Sequence, residues 1–413
     1  MEMKTVKLGD IAEFANGLNF DKSAYKPGIK IIGVSDFKDY SSPQIDSLSE
    51  VAVEAIKKSA LLHYNDLIFV RSNGNKDLVG RCMIVPKTDM PLLFSGFCIR
   101  CRFKDTSKTN PVYYLYYFKS PYFRKILSNT SVGANIQNLS QSRLSRTEVL
   151  LPTIQVQNKI ASILSAYDDM IDNCKKQISL LEEAAQRLYR EWFVDMRFPG
   201  HETTPIGDNG YPIGWRETKL DDITSKFATG LNPRKNFVLG KGENYYVTIK
   251  NLTQTYVVLD DKCDKVDDEA LLKINRRSDL KAGDLLFSGI GTIGRVALVL
   301  DTPTNWNISE SLFTLRPNDL VSSEYLYLLL LDSGVQGYAQ ANSQGSAQKG
   351  IRMAALKAYS FMLPSDKILK LFDNLIKPYI ESLKVNHKML HNYIEARSHL
   401  LPRLISGQIE IKA

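Results

Sequence analysis

Between Lys159 and Phe193 the apolar positions fall at Ile160, Leu164, Tyr167, Ile171, Cys174, Ile178, Leu181, Ala185, Leu188 and Trp192. The steps alternate four and three, the a/d seam of a heptad helix. No Gly or Pro interrupts the run; Pro152 lies upstream and Pro199-Gly200 punctuates its end. The same seam returns 212 residues later at Phe372, Ile376, Tyr379, Leu383, Asn386, Leu390, Tyr393, Arg397, Leu400 and Leu404. Asn386 takes the Cys174 slot, where a lone polar residue sets register. Arg397 replaces Ala185, so the seam must open there or let the Arg snorkel. Pro378 predicts a kink or a fresh start. Two such helices would bury their seams against each other, and an antiparallel pairing gives the chain pseudo-two-fold symmetry. Ile160 to Trp192 would span roughly 50 Å as a helical spacer.

The repeat runs along the whole chain near this offset, with gaps of a few residues. The run from Lys7 to Ile11 matches Lys219 to Ile223, and Leu151-Pro152 matches Leu363-Pro364. Gly17-Leu18-Asn19 matches Gly230-Leu231-Asn232, and Asp66 to Phe69 matches Asp284 to Phe287. Gly80-Arg81 matches Gly294-Arg295, and Tyr114 to Tyr116 matches Tyr325 to Tyr327. The chain therefore reads as globular unit, long helix, globular unit, long helix.

Within the first unit, Val6 to Leu8 predicts a short strand and Asp10 to Phe14 a helix. Strands follow at Ile29 to Val34, Asp66 to Val70, Arg81 to Val85 and Phe97 to Phe103. Pro111 to Leu127 predicts helix broken near Pro121, its aromatics mostly core. The second unit repeats this with strands at Tyr245 to Ile249, Asp284 to Phe287 and Val296 to Leu300. Ser365 or Asp366 is the expected N-cap of the last helix. The predicted class is α/β (α+β): a tandem repeat of two globular domains, each followed by a long helix, the helices pairing as an antiparallel coiled coil. The expected boundaries are 1–152, helix 153–198, a Gly/Pro-rich linker 199–214, 215–364 and helix 365–406.

At 44% hydrophobic and 24% charged, the composition supports sizeable cores. A net charge of +8 points towards a polyanion. Five cysteines at irregular places fit a reducing compartment. No signal-peptide core or membrane-length apolar run is present, so a cytoplasmic protein is expected.

Several motifs imitate chemistry. Phe287 to Gly291 resembles an S-adenosylmethionine loop and, carried to Gly294, spells Gly-x-Gly-x-x-Gly; yet a strand rather than a helix is predicted after it. Asn110 to Tyr113 resembles an adenine-holding loop without its second Pro, and Pro111 suits a helix N1 position. Cys98 and Cys101 have zinc-ligand spacing, but on a strand they point to opposite faces. His387 and His391 suit a solvated helix face. No catalytic constellation and no metal site is expected.

Polar, basic loops remain. The turn between the paired strands carries Arg71, Asn73, Asn75, Lys76 and Arg81, against Thr292 and Arg295 in the second copy. The loop before each long helix carries Asn135, Gln137, Gln141 and Arg143, against Ser346, Gln348, Lys349 and Arg352. Arg234 and Lys235 add charge near the start of the second copy. These side-chain types bond base edges and phosphates. Polarity recurs while identity differs, as two readers of different text require.

In this order the motifs resemble the specificity (S) subunits of type I restriction-modification systems. The resemblance covers essentially the whole chain. It rests on Lys-Leu-x-Asp-Ile opening each half, Gly-Asp-Leu-Leu-Phe from Gly283, Gly-Thr-Ile-Gly-Arg from Gly291 and Gly-Ser-Ala-Gln-Lys from Gly345. Leu-Pro before each long helix and the terminus from Leu400 to Gly407 complete it. The first half departs in its loop from Ser131 to Gln137 and in its Asn/Lys-rich turn. The resemblance implies two target-recognition domains reading a split, asymmetric double-stranded DNA target. It implies helices that dock two methyltransferase (M) subunits, with two restriction/translocase (R) subunits joining. S-adenosylmethionine, ATP and Mg would then belong to the partners, the chain having no cofactor and no catalysis of its own. The rival readings are a stand-alone DNA adenine methyltransferase and a coiled-coil scaffold without sequence preference.

Overall fold

The computed structural model describes residues 4–37, 41–52, 60–72, 78–129, 138–253, 255–260, 262–345 and 349–411. Its contacts divide the chain into two units, Met1–Asn173 with Leu390–Ala413, and Cys174–Met389. Each unit therefore holds one globular domain with a segment of both long helices.

In the first unit, β1 (Lys4–Lys7) leads into the single turn α1 (Leu8–Ile11), then β2 (Ala12–Asn16), β3 (Ile29–Ile32) and β4 (Ser49–Val51). β5 (Leu67–Val70), β6 (Cys82–Ile84), β7 (Leu92–Phe94) and β8 (Cys98–Phe103) follow. Helices α2 (Pro111–Lys119), α3 (Pro121–Asn129) and α4 (Gln141–Arg146) precede β9 (Glu148–Leu151) and the long α5 (Ile154–Tyr189). Among the described residues three sheets form: β2-β8-β5-β6, β4-β3-β7 and the pair β1-β9. Ala12 to Asn16 is strand, not the expected helix, because it completes the four-stranded sheet beside β8 in an unbroken register from Ala12–Phe103 to Asn16–Ile99.

That sheet is covered on both faces. Leu67, Phe69, Ile99 and Cys101 pack with the α2 aromatics and with Ile160 and Leu164 of α5. Ile68, Val70 and Cys98 pack with Ile32 and Phe94 of the three-stranded sheet. Two buried faces explain the unbroken apolar run Leu67 to Val70. Asn110 caps α2 by accepting from the Val112 and Tyr113 amides, with Pro111 at N1. Tyr113, Tyr114, Tyr116, Tyr117, Phe118 and Phe123 are buried, and Tyr122 is left outward.

The second unit repeats the plan. Its strands are β10 (Arg216–Lys219), β11 (Thr224–Thr229), β12 (Asn244–Val247), β13 (Asp264–Val266), β14 (Leu285–Ser288), β15 (Val296–Leu298), β16 (Trp306–Ile308), β17 (Leu312–Pro317) and β18 (Ser360–Leu363). Its helices are α6 (Asp268–Ser278), α7 (Ser323–Leu331), α8 (Ser333–Ala341), α9 (Met353–Lys357) and the long α10 (Asp366–Ile405). The sheets are β11-β17-β14-β15, β13-β12-β16 and β10-β18, the same orders as in the first unit. The parallel pair β3–β7 recurs as β12–β16.

In the first unit Tyr167 meets Tyr393 with ring centroids 6.4 Å apart, and in the second Tyr189, Trp192 and Phe193 surround Phe372. Partner numbers fall along α10 as they rise along α5, so the helices pair antiparallel. Ile160, Leu164, Ile171, Ile178, Trp192, Phe372, Ile376, Leu383 and Leu404 are buried. Tyr167, Leu181, Leu188, Leu390, Tyr393 and Leu400 are half-buried. Tyr379 departs from the expected seam: it is exposed and Ile380 is buried in its stead. The buried positions Phe372, Ile376, Ile380, Leu383 and His387 step 4-4-3-4, which follows the helix more closely than a strict heptad. By the same drift His387, not Asn386, faces inward. Helix α10 runs through Pro378 without ending, and Arg397 is ion-paired to Asp168 rather than left to snorkel.

His387 corrects the expected solvated face. Its ring packs tilted against that of Tyr256 with centroids 4.1 Å apart, and neither ring nitrogen has a hydrogen-bond partner among the described residues. Burial lowers its pKa to about 4. A depressed imidazole contributes stability above its unfolded pKa near 6.5, and that contribution is lost as pH falls towards 4. Urea unfolding across this window should show a loss of up to about 3 kcal/mol. The loss should vanish in His387→Leu; a pH slope unchanged by that substitution would contradict the assignment.

Candidate nucleic-acid interface

The two polar loops that the sequence singles out are bonded to one another in both units. In the first, the Leu139 amide donates to the Arg71 carbonyl at 2.8 Å, and Ser72 and Asn138 form an antiparallel bridge. In the second, the Gly291 amide donates to the Lys349 carbonyl and the Ile351 amide to the Gly289 carbonyl, each at 2.8 Å. Gln344 and Gly350 exchange both backbone bonds at 2.9 Å, closing the second loop on itself. Residues more than 50 positions apart thus form one surface at the β14–β15 turn.

The glycine pattern of that turn serves its shape. A Cβ on Gly289 would lie 2.3 Å from the Phe313 ring. Gly294 adopts φ +93°, and a Cβ there would lie 2.0 Å from the Gln336 side chain, whose Nε2 donates to the Gly294 carbonyl. β15 follows directly, so no helix N-terminus is available to a nucleotide phosphate. Asn110 likewise spends its side chain on the α2 cap.

The candidate contact residues separate by what already holds them. Arg295 donates from Nη1 to the Ile249 and Leu252 carbonyls, both at 3.2 Å. Arg81 makes the matching bond to the Phe37 carbonyl at 3.3 Å. Both close the 3-10 turn that follows the first strand of the three-stranded sheet (Ile249–Asn251 and Val34–Asp36). Arg71 reaches the Gly96 carbonyl at 3.5 Å. Arg143 ties α4 to the Leu127 carbonyl, and burial lowers its pKa. Gln141, with its amide oriented to suit its neighbours, bridges the Phe14 carbonyl and the Asn16 amide. By contrast Arg234, Lys235, Lys349 and Arg352 are exposed and have no side-chain bond to a described residue. Thr292 is exposed at the turn. Asn73, Asn75, Lys76, Asn135, Gln137, Ser346 and Gln348 lie outside the described residues.

A cluster that the sequence does not single out adjoins the turn, where the Gly289 amide donates to the Ser311 carbonyl. Glu310 accepts from Asn232 Nδ2 at 2.8 Å and from the Tyr246 hydroxyl at 3.1 Å, and Tyr246 also donates to the Leu231 carbonyl at 2.8 Å. It braces the segment that ends in Arg234 and Lys235. The repeated Gly-Leu-Asn was its one visible trace.

Among the described residues no group of three His, Cys, Asp or Glu could hold a metal ion, and no helix is long and apolar enough to cross a membrane. Cys98 and Cys101 belong to different cores on opposite faces of β8, and burial pushes the Cys98 thiol up to about 12.

Residues 1–183 and 212–389 match the profile of the type I restriction modification DNA specificity domain. The chain is 26% identical over 304 residues to the type I restriction enzyme MjaIX specificity subunit of Methanocaldococcus jannaschii, covering 72% of this chain and 69% of that one. It is 21% identical to the HindI specificity subunit of Haemophilus influenzae, covering 99% and 100% respectively. A crystal structure of a type I restriction-modification S subunit from M. genitalium aligns with a TM-score of 0.61 over 100% of this chain and 97% of that one, at 13% identity, a likeness of fold.

Proposed function

This chain belongs to the type I restriction modification DNA specificity family, and from that membership we propose that it reads a bipartite, asymmetric double-stranded DNA target, one half-site per globular domain. As a specificity subunit it is non-catalytic. It directs two M subunits and two R subunits to the target in the cytoplasm, and S-adenosylmethionine, ATP and Mg act on those partners. The observation that carries this reading is that the two polar loops are joined in each domain of one repeated scaffold, while their sequences differ between the domains. Phosphate contacts then come from exposed cations with no internal partner, and base contacts from the Asn, Gln, Ser and Thr of the loops. Arg71, Arg81, Gln141, Arg143 and Arg295 hold the loops in place and act on recognition through them. A base-modification map of a host expressing the chain with its M subunit tests the reading. One bipartite N6-methyladenine motif should appear, and no motif at all would overturn it.

Lys349→Ala and Arg352→Ala should each weaken duplex binding and reduce the salt-dependence slope by about one. The change should concern one half-site only. An unaltered slope, or equal loss at both half-sites, would remove these residues from the interface.

A further inference from the structure

In both domains a loop hydroxyl donates to a carboxylate of α5, and a helix Tyr joins it there, directly in the first and through the loop hydroxyl in the second. In the first unit Asp168 accepts from the Tyr116 hydroxyl at 2.7 Å and from the Ser41 hydroxyl at 3.4 Å, and pairs with Arg397 of α10. Lys119 in turn donates to Ser41 at 2.9 Å. In the second unit Glu182 accepts from the Thr255 hydroxyl, which itself accepts from the Tyr327 hydroxyl at 3.4 Å. Ser41 and Thr255 are equivalent: the Ser41 carbonyl accepts from the Ile84 amide, and the Thr255 carbonyl from the Leu298 amide.

The carboxylates break the repeat. The internal offset carries Asp168 to Ile380 and Arg397 back to Ala185, both apolar and buried. A charged pair in one unit thus stands where the other has apolar residues, and α5 supplies the carboxylate that accepts from Ser41 in one domain and from Thr255 in the other. Stability of the helix pair does not demand this, since its other copy manages with Ile and Ala. Charge-assisted bonds to hydroxyls are directional, and they fix the angle of a domain on a helix as apolar packing does not.

Building on the bipartite reading above, we propose that Asp168 and Glu182 are positioning residues that set how each recognition domain is held on α5, and through this the number of base pairs tolerated between the half-sites. The test is methylation, by the complex with its M subunit, of duplexes carrying the native gap or a gap one base pair longer or shorter. Asp168→Asn and Glu182→Gln should keep both half-site sequences and lower the preference for the native gap roughly tenfold, as expected for loss of one charge-assisted bond. Asp168→Ile with Arg397→Ala rebuilds the apolar pair of the other copy. It should restore the melting temperature without restoring gap discrimination. Full discrimination in that double variant, or loss of half-site reading in parallel with it, would overturn the inference. Should the Asp168 variants not fold, Glu182→Gln decides alone. A wild-type complex that methylates no bipartite motif would instead overturn the reading on which the inference rests.

Discussion

Gly230→Ala is expected to disrupt the second recognition domain. A Cβ at this position would lie 1.8 Å from the Ile308 carbonyl oxygen and 2.4 Å from its carbon. Both are backbone atoms of β16, so no side chain can swing away. The segment must leave the sheet, taking with it the bond from Tyr246 to Leu231 and that from Asn232 to Glu310. The cost should reach about 3 kcal/mol or more, the range of core overpacking and strain. Chemical denaturation should show the loss, and hydrogen exchange should place it on β12 and β16. Gly337→Ala is the control: nothing lies within 4 Å of its Cβ, and it sits inside α8. That change should be neutral or stabilising by up to about 1 kcal/mol. Equal effects at the two positions would show that the close approach at Gly230 is not what the site requires.

Asp284→Ala should cost nearly as much for an electrostatic reason. Asp284 is fully buried and accepts from Arg316 Nε at 2.7 Å, from Arg316 Nη2 at 2.9 Å and from the Lys281 amide at 2.8 Å. The hydrogen bond to the carboxylate raises the Arg316 pKa further. Removing the carboxylate takes the acceptor from the Lys281 amide and, among the described residues, leaves the guanidinium with only its contacts to Asp279. Breaking such a buried pair costs about 3–5 kcal/mol; Arg316 is partly open to solvent, which places the expected value near the lower end of that range. Asp66 makes the same bidentate pair with Arg102 in the first domain and also accepts from the His63 amide. Asp66→Ala should therefore destabilise the other domain by a similar amount. A melting temperature unchanged by either substitution would contradict the assignment.

These two sites show what was legible in the letters. The repeat was visible because each copy needs the same atoms in the same places. Asp66 and Asp284 recur since one buried carboxylate anchors the same strand end, and Gly17 and Gly230 recur since strand carbonyls press on both. What the letters concealed depends on partners far along the chain. Ala12 to Asn16 has a helix-compatible composition, and its strand state comes from pairing with residues 99–103. Arg81, Arg143 and Arg295 look like any exposed cation of a basic loop, but carbonyls 16 to 46 residues away hold them. The buried face of α10 drifts from the heptad positions to Ile380 and His387 because it follows the pitch of the helix itself. Asp168 and Glu182 were hidden for the opposite reason: the repeat predicts no carboxylate at 380.

The strand pairs β1–β9 and β10–β18 carry one more implication. Lys4 lies opposite Leu151, and Arg216 opposite Leu363, so each domain begins and ends at two neighbouring antiparallel strands. A domain whose termini meet is a closed cassette. Everything between the paired strands can be replaced by a different reader without rethreading the chain. On the bipartite reading proposed above, genetic exchange at these two short ladders would create new addresses in a single step, with the helices left as they were.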